Sequence, residues 1–328
     1  MADNQTRKQP KILMVGAGAV GQAYGYHLSK GGYDVTYLIK PKYEASMQQG
    51  LAVACLNAAV SDTTLFQAYA TLTDLNAVEP DQFDQVWFCI DSTALTDALI
   101  AAVEAVAGQA SVVTLQPGLD DYQRVVDAFG EHRVIRGMIT LVSFDRALVE
   151  PSHRETMCWW FPPLSRANFS GSSSVVDDIV RTLNAGEMPA KHIADVALQL
   201  KFGSGILMPL VAALEEAGWT FRRLREGARL RLVSRAARQM IKISMGPSVR
   251  LRAYVMTQVW LLKLLTYLAP RFTPFDLERV LQVHFTKVGA QTRVMLARYI
   301  ELGRLQQNRT DAIQSVLESL DAASDRQQ

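Results

Sequence analysis

Lys11-Ile12-Leu13-Met14-Val15 runs directly into Gly16-Ala17-Gly18-Ala19-Val20-Gly21, and this junction constrains the chain more than any other stretch. An apolar run of strand length enters G-x-G-x-x-G, and good helix formers follow. Gly16 permits a tight turn out of the strand, Gly18 lets the backbone come close to a pyrophosphate, and Gly21 lets the next helix lie against the sheet. The helix start then offers unpaired N–H groups and a positive dipole end to phosphate. A glycine pattern alone says little, and a fortuitous turn is the competing reading. The strand before it and the helix behind it make Gly16, Ala17, Gly18, Ala19, Val20 and Gly21 a dinucleotide-binding turn.

The first helix is expected to reach about Ser29 and to stop at Gly31-Gly32. Asp34 to Ile39 then reads as a second strand. Beyond it stand Lys40-Pro41-Lys42, with no carboxylate before Glu44. An acidic residue here would bond a ribose 2′-hydroxyl, whereas a basic one suits a 2′-phosphate. Lys40 therefore points to NADP(H), against the plain alternative of solvated surface lysines. Gln85 to Ile90 is a continuous apolar run suited to a buried parallel strand. Thr93 to Ala107 is a helix, Ser111 to Leu115 a strand ending in Gln116-Pro117-Gly118, Asp120 to Phe129 a helix, and Arg133 to Val142 a strand. Gly50 to Asn76 is too mixed to assign. The alternation predicts an α/β fold: a Rossmann-type, doubly wound parallel sheet over residues 1–185. Val175 to Leu183 reads as a helix still packed on that domain, and Gly186 to Pro189 as a hinge. From Ala190 the pattern is helical, giving an all-helical substrate or dimerisation domain over residues 186–328.

Composition excludes several alternatives. At 328 residues there is room for two domains, and a net charge of +2 favours no class of partner. Cys55, Cys89 and Cys158 lie among apolar neighbours without C-x-x-C spacing, which suits core thiols in a cytoplasmic protein. Met1 to Pro10 lacks the apolar core of a signal peptide. Ala253 to Pro270 is apolar but interrupted by Gln258 and Lys263, so a buried or interfacial helix is expected rather than a membrane span. The apolar surface around Trp260 makes a homodimer plausible. Arg222, Arg223, Arg225, Arg229, Arg231, Arg235 and Arg238 alternate with nearby Glu215, Glu216 and Glu226; a solvated face or subunit contact fits better than nucleic acid. The histidines are scattered, so no metal is expected. Asp120-Asp121 and Asp177-Asp178 read as dipole partners where helices begin, and Ala322 to Gln328 as a frayed end.

The combination of a glycine-turn domain with a helical one resembles the ketopantoate reductase family, whose members reduce 2-oxo acids with NADPH. Val15 to Gly21 matches its opening motif. Tyr37-Leu38-Ile39-Lys40 followed by Gln49-Gly50-Leu51 is similar to its second strand, basic residue and QGL tripeptide. Ile90 to Ala98 stands where the family has a lysine-bearing turn, and Leu115-Gln116-Pro117-Gly118-Leu119 where it has QNG. Asp91 and Pro117 thus occupy positions that face cofactor and substrate in the family, with the lysine and asparagine replaced. Leu200-Lys201 and Met208-Pro209-Leu210 resemble the helix opening with the catalytic lysine. Two asparagines after that lysine, and a late Ser and Glu, have no match. The resemblance implies NADP(H) as cofactor and a carbonyl substrate other than ketopantoate.

Reduction of a carbonyl needs a donor that polarises the oxygen and protonates it. Lys201 is the candidate catalytic residue on the family position; a helix lysine that carries its ammonium out to solvent is the alternative. His284, Lys287 and Gln291 would share one helix face by their i, i+3, i+7 spacing and could bind an anionic substrate, unless the stripe simply faces water. The function expected is an NADPH-dependent reductase of a 2-oxo acid or related carbonyl. A nucleotide-binding regulatory protein without turnover and an NADP-dependent hydroxy-acid dehydrogenase are the alternatives.

Overall fold

The computed structural model describes residues 9–57, 63–151, 153 and 155–325. Most of the polar opening stretch Met1 to Pro10, and the last residues of the tail expected to fray, lie outside the described residues. The chain divides into two compact units, 1–196 and 197–328.

In the first unit, β1 (Lys11–Val15) leads through the glycine turn into α1 (Ala19–Lys30), and β2 (Asp34–Leu38) completes a βαβ motif. Next come α2 (Glu44–Gln48), β3 (Leu51–Cys55), β4 (Thr64–Phe66), β5 (Ala70–Leu72), β6 (Gln85–Phe88), α3 (Asp97–Ala107), β7 (Ser111–Thr114), α4 (Asp121–Phe129), β8 (Val134–Met138) and β9 (Val142–Asp145). Then α5 (Arg146–Val149), β10 (Met157–Trp160), β11 (Ala167–Ser170), α6 (Ser173–Ala185) and β12 (Ala190–His192) close the unit.

Eight strands form the main sheet in the order β12-β11-β8-β7-β6-β1-β2-β5. All neighbours pair parallel except β8 with β11, which are antiparallel. Leu13, Val86 and Val112 on one face pack with Ile100 and Val103 of α3 and Val125 of α4. On the other, Ile12, Trp87 and Val113 pack with Tyr24 and Leu28 of α1 and Ile179 of α6. Helices therefore cover both faces, which is why the inner strands are apolar almost throughout. The expected doubly wound architecture is present.

A second sheet, ordered β4-β3-β10-β9, covers the far side of α1. It is built from the stretch between Gly50 and Asn76 that the sequence leaves unassigned, together with the Trp159-Trp160 patch. The helix is thus enclosed between two sheets. Tyr24 meets Trp87 at 5.7 Å and Phe169 edge-on at 6.4 Å on the main-sheet side. Tyr26 and His27 meet Trp159 at 5.1 and 5.0 Å on the other. Each such ring pair contributes about 0.5–1.5 kcal/mol beyond the area it buries. Close packing also explains Gly25: a Cβ there would stand 2.0 Å from the Tyr37 hydroxyl oxygen.

Several boundaries differ from the sequence reading. The chain divides at Val196–Ala197, not after residue 185, because β12 pairs with β11 and keeps the Gly186–Pro189 segment inside the first unit. That short strand also interrupts the helical pattern expected from Ala190. The expected strand Arg133 to Val142 is two strands, β8 and β9, in different sheets. Asp177 and Asp178 do not open a helix, since α6 begins at Ser173; Asp178 instead bonds the Tyr33 hydroxyl and Arg181, and Asp177 meets His192 Nδ1 at 2.8 Å.

The second unit is helical throughout its described residues. It contains α7 (Val196–Glu216), α8 (Phe221–Leu224), α9 (Arg229–Met245), α10 (Arg250–Met256), α11 (Val259–Phe272), α12 (Leu277–Lys287), α13 (Gly289–Leu305) and α14 (Asp311–Asp325). Here α14 extends into the tail that was expected to fray. Among the described residues α7, rather than Ala253 to Pro270, has the length and hydropathy of a membrane span. It lies against α9: a Cβ at Gly205 would come within 2.7 Å of Ile241 Cγ1. The Ala253–Pro270 stretch breaks at Thr257-Gln258 into two helices, leaving Leu251, Tyr254, Trp260 and Phe272 exposed. Several arginines of the basic run are tied within the unit. Arg229 pairs with Glu216 at 2.5 Å, Arg225 donates to the Thr266 carbonyl at 2.8 Å, and Arg238 donates to Thr257 Oγ1 at 2.9 Å.

Candidate functional site

Four neighbouring strands of the main sheet end on one row. Leu38 of β2 pairs with Val15 of β1, Val15 with Phe88 of β6, and Phe88 with Thr114 of β7. The connections leaving β1 and β6 go to opposite faces of the sheet. In an open parallel sheet, the crevice at such a reversal is where ligands bind. Gly16-Ala17-Gly18-Ala19-Val20-Gly21 lies at this crevice.

The three glycines are required for different reasons. Gly16 has φ +108°, a backbone that side chains disfavour, and a Cβ there would press on Ile90 Cγ2 at 2.7 Å. At Gly21 a Cβ would stand 2.1 Å from the Gly16 carbonyl oxygen and 3.3 Å from Cys89 Cβ, so this glycine lets α1 close onto the turn. Gly18 is unlike both. Its φ of −76° suits any residue, and a Cβ would meet nothing within 4 Å. Nothing among the described residues explains a glycine at this position; close approach of a phosphate does. Gly18 is also the N-cap of α1, with no side chain to engage the N–H groups of the first turn. The turn therefore fits a dinucleotide pyrophosphate.

Lys40 stands two residues past β2, exposed, at the start of a short 3-10 turn over Pro41–Tyr43. Its neighbour Lys42 lies over the Tyr43 ring at 4.8 Å. Lys40 is open to solvent at the end of the strand, where an adenosine ribose would lie.

At the end of β6, Asp91 is engaged within its own turn. Its Oδ1 accepts from Thr93 N at 2.9 Å, Ala94 N at 3.0 Å and the Thr93 hydroxyl. Partial burial pushes the carboxyl up, and these hydrogen bonds more than reverse it, leaving its pKa below the usual value. Asp91 is thus a lasting negative charge beside the glycine turn. Cys89, two residues before it, is a thiol whose burial pushes its pKa far upward, which makes it inert.

Pro117 is half-buried in the loop after β7, and its neighbours fix that loop. The buried Gln116 donates through Nε2 to the carbonyls of Phe88 at 3.1 Å and Ile90 at 2.9 Å, bracing β7 against the end of β6. Gly118 N donates to Asp121 Oδ2 at 3.0 Å. Burial raises the Asp121 pKa, and bonds from Ser92 and Gly118 oppose that rise only in part. Sequence reasoning missed the bracing role of Gln116; the available signal was a polar residue closing an apolar strand.

The second-unit candidates lie on three helices. Lys201 is half-buried on α7, next to the buried Phe202, over which the Arg252 guanidinium lies at 4.6 Å. His284 and Lys287 are exposed on α12, which ends at Lys287, whereas Gln291 belongs to α13. The i, i+3, i+7 spacing presumes a continuous helix. The chain turns at Val288, with φ −108° and ψ 22°, and Gly289 begins a new helix. His284 instead meets the Phe285 ring edge-on at 4.8 Å.

One polar residue level with this row of strand ends escaped the sequence reading. Arg136 of β8 is level with Thr114 and lies 3.5 Å over the Tyr122 ring of α4. A lone arginine within Val134-Ile135-Arg136-Gly137-Met138 was the signal.

Residues 12–165 match the family model described as ketopantoate reductase PanE/ApbA. This region belongs to that family, in a divergent form. Ketopantoate reductases also appear among solved structures of similar fold. A PanE/ApbA family ketopantoate reductase from Ralstonia eutropha JMP134 superposes with TM-score 0.70 at 14% identity, covering 97% of this chain and 99% of that one. A 2-dehydropantoate 2-reductase from Geobacter metallireducens GS-15 gives 0.67 at 15%, covering 95% and 99%. D-mandelate dehydrogenase with NADH and anilino(oxo)acetate gives 0.67 at 10%, covering 96% and 98%. At these identities the likeness is one of fold. No curated protein sequence matches the chain. The ketopantoate reductase family is one of oxidoreductases acting between C=O and CH–OH groups.

Proposed function

We propose that the chain is an NADPH-dependent reductase of a 2-oxo acid or related carbonyl other than ketopantoate, because Asp91 and Pro117 replace the family's lysine and asparagine. The observation that supports this most is Gly18, a glycine at the sheet crevice that neither its backbone conformation nor a neighbouring atom of the described residues requires. Gly16 and Gly21 shape the turn, the N-terminus of α1 holds the pyrophosphate, and Lys40 meets the ribose 2′-phosphate. Bound NADPH would supply the hydride. Lys201 is proposed, on its place in the family pattern, to donate a proton to the carbonyl oxygen and to regain it from water.

Titration of the pure protein with NADPH and NADH, followed by nicotinamide fluorescence, tests the cofactor. NADPH should bind at least tenfold more tightly; equal or reversed preference rejects the assignment. Lys201→Ala should keep that affinity and lose turnover by two orders of magnitude or more, the range of a general acid. Asp91 favours a second reading, a nucleotide-responsive binding protein without turnover, because a fixed negative charge stands where the family has a lysine. A screen of 2-oxo acids and aldehydes with NADPH separates the two: oxidation of cofactor with any of them rules out the binding-only reading. Reduction of NADP+ by hydroxy acids, without the reverse reaction, would instead identify a dehydrogenase.

A further inference from the structure

Arg136 is a charged side chain with a place in the sheet, influenced by the Asp195 carboxylate only at a distance. It stands in β8, one strand from β7, and its Cα pairs with Thr114. The row of strand ends Leu38, Val15, Phe88 and Thr114 is therefore continued by Arg136, the middle residue of β8. A dinucleotide lying across the crevice, with its adenosine ribose at Lys40 beyond β2, extends its nicotinamide half the other way, over β6 and β7. Arg136 is next on that side, two strands or about 10 Å past β6. A substrate held against the nicotinamide ring lies in this direction.

The geometry of the guanidinium favours an anion. Its face is stacked on Tyr122, with the Cζ atom 3.5 Å from the ring centroid. Stacking engages the plane and leaves the N–H edge free, the edge that binds a carboxylate through two parallel hydrogen bonds. The ring also removes rotational freedom from a long side chain, so less is lost when the ligand binds. Among the described residues no acidic oxygen lies within 4.0 Å of its nitrogens. Asp195 acts on it only from further away, and burial lowers its pKa more than Tyr122 and Asp195 raise it. Half-buried cations are normally paired. This one is held in position and left incomplete.

We propose that Arg136, held by Tyr122, binds the carboxylate of a small 2-oxo acid substrate and so selects acids over uncharged carbonyls. This rests on the reductase reading for its substrate class, but the binding step is testable without turnover. The probe is oxamate, a 2-oxo acid analogue that accepts no hydride, titrated by calorimetry into the full-length protein saturated with NADPH. Wild type should bind it. Arg136→Gln should weaken binding at least tenfold, and Arg136→Lys should restore part of the loss, since a point charge replaces the two-pronged contact. NADPH fluorescence titration of each variant should be unchanged, which shows the unit is folded. In turnover, Arg136→Gln should raise KM for 2-oxo acids tenfold or more with kcat nearly constant, and leave KM for the matching methyl esters unaltered. Oxamate binding that is equal in wild type and Arg136→Gln, or absent from wild type, overturns the proposal. If wild type binds oxamate through Arg136 yet turns over no carbonyl, the anion site stands and the reductase reading falls.

Discussion

At the residue scale, the glycine turn separates what the fold needs from what a ligand needs. Gly16 and Gly21 are forced by backbone conformation and by atoms of the chain itself. Gly18 is forced by neither. Gly18→Ala should therefore still fold, losing about 1 kcal/mol for alanine at an N-cap, yet weaken NADPH at least tenfold. Thermal unfolding and fluorescence titration of the same sample check both halves. An unchanged affinity would show that no phosphate approaches there. All three glycines were legible in the sequence because the motif is local. The Asp91 turn was not: its spacing to Thr93 and Ala94 is visible, but the sequence does not say whether the carboxylate faces a ligand or its own backbone. Arg136 was hidden for a related reason, since the row it continues exists only once five strands have been set in register.

At the element scale, α1 shows why pattern reading works in some segments and fails in others. A helix against one sheet has a single apolar stripe; α1 is covered on two sides, so its buried residues Ala23, Tyr24, Gly25, His27 and Leu28 wrap around it. The strands covering its far side are short and come from distant parts of the chain, which is why Gly50 to Asn76 showed no readable period. Replacing Gly25 by alanine sets two effects against each other. Alanine gains about 1 kcal/mol in helix propensity, while its Cβ would overlap the buried Tyr37 hydroxyl, which donates to the Gly21 carbonyl at 3.2 Å. Overpacking costs of roughly 1–3 kcal/mol or more are usual, and Tyr37 has no room to withdraw. The expected result is a net loss of about 2 kcal/mol in urea unfolding; a more stable variant would contradict the packing described. The helix break between His284 and Lys287 on one side and Gln291 on the other illustrates the opposite case. A regular spacing continued across Val288, but the helix did not.

At the scale of the whole molecule, the two units differ in how far sequence revealed them. Both fold classes were legible, the first from strand–helix alternation and the second from uninterrupted helical pattern. Their boundary was not, because β12 is three residues long and its pairing with β11 is invisible locally. The segment before β12 also bears on the acid response of the first unit. His27 of α1 donates through Nδ1 to the Gly186 carbonyl at 2.6 Å, while its Nε2 is buried without a hydrogen-bond partner. Burial lowers its pKa from 6.5 to about 4, with the Gly186 bond opposing the fall. The folded state therefore holds His27 neutral while the unfolded chain protonates it. Its contribution to stability is complete above about pH 6.5 and is lost as the pH falls towards 4, an effect of about 3 kcal/mol. Urea midpoints should drop across that window in wild type and drop less in His27→Phe. Parallel slopes in the two proteins would exclude His27 as the cause.

The enclosure of α1 between two sheets has a consequence for the nucleotide as well. The N-terminus proposed to hold the phosphates and the histidine that resists protonation belong to one helix, twelve residues long. Proton and dinucleotide are then antagonists acting on a single body. Whatever nucleotide occupies the turn should let the unit survive to lower pH, and acid should weaken its binding as the unit unfolds.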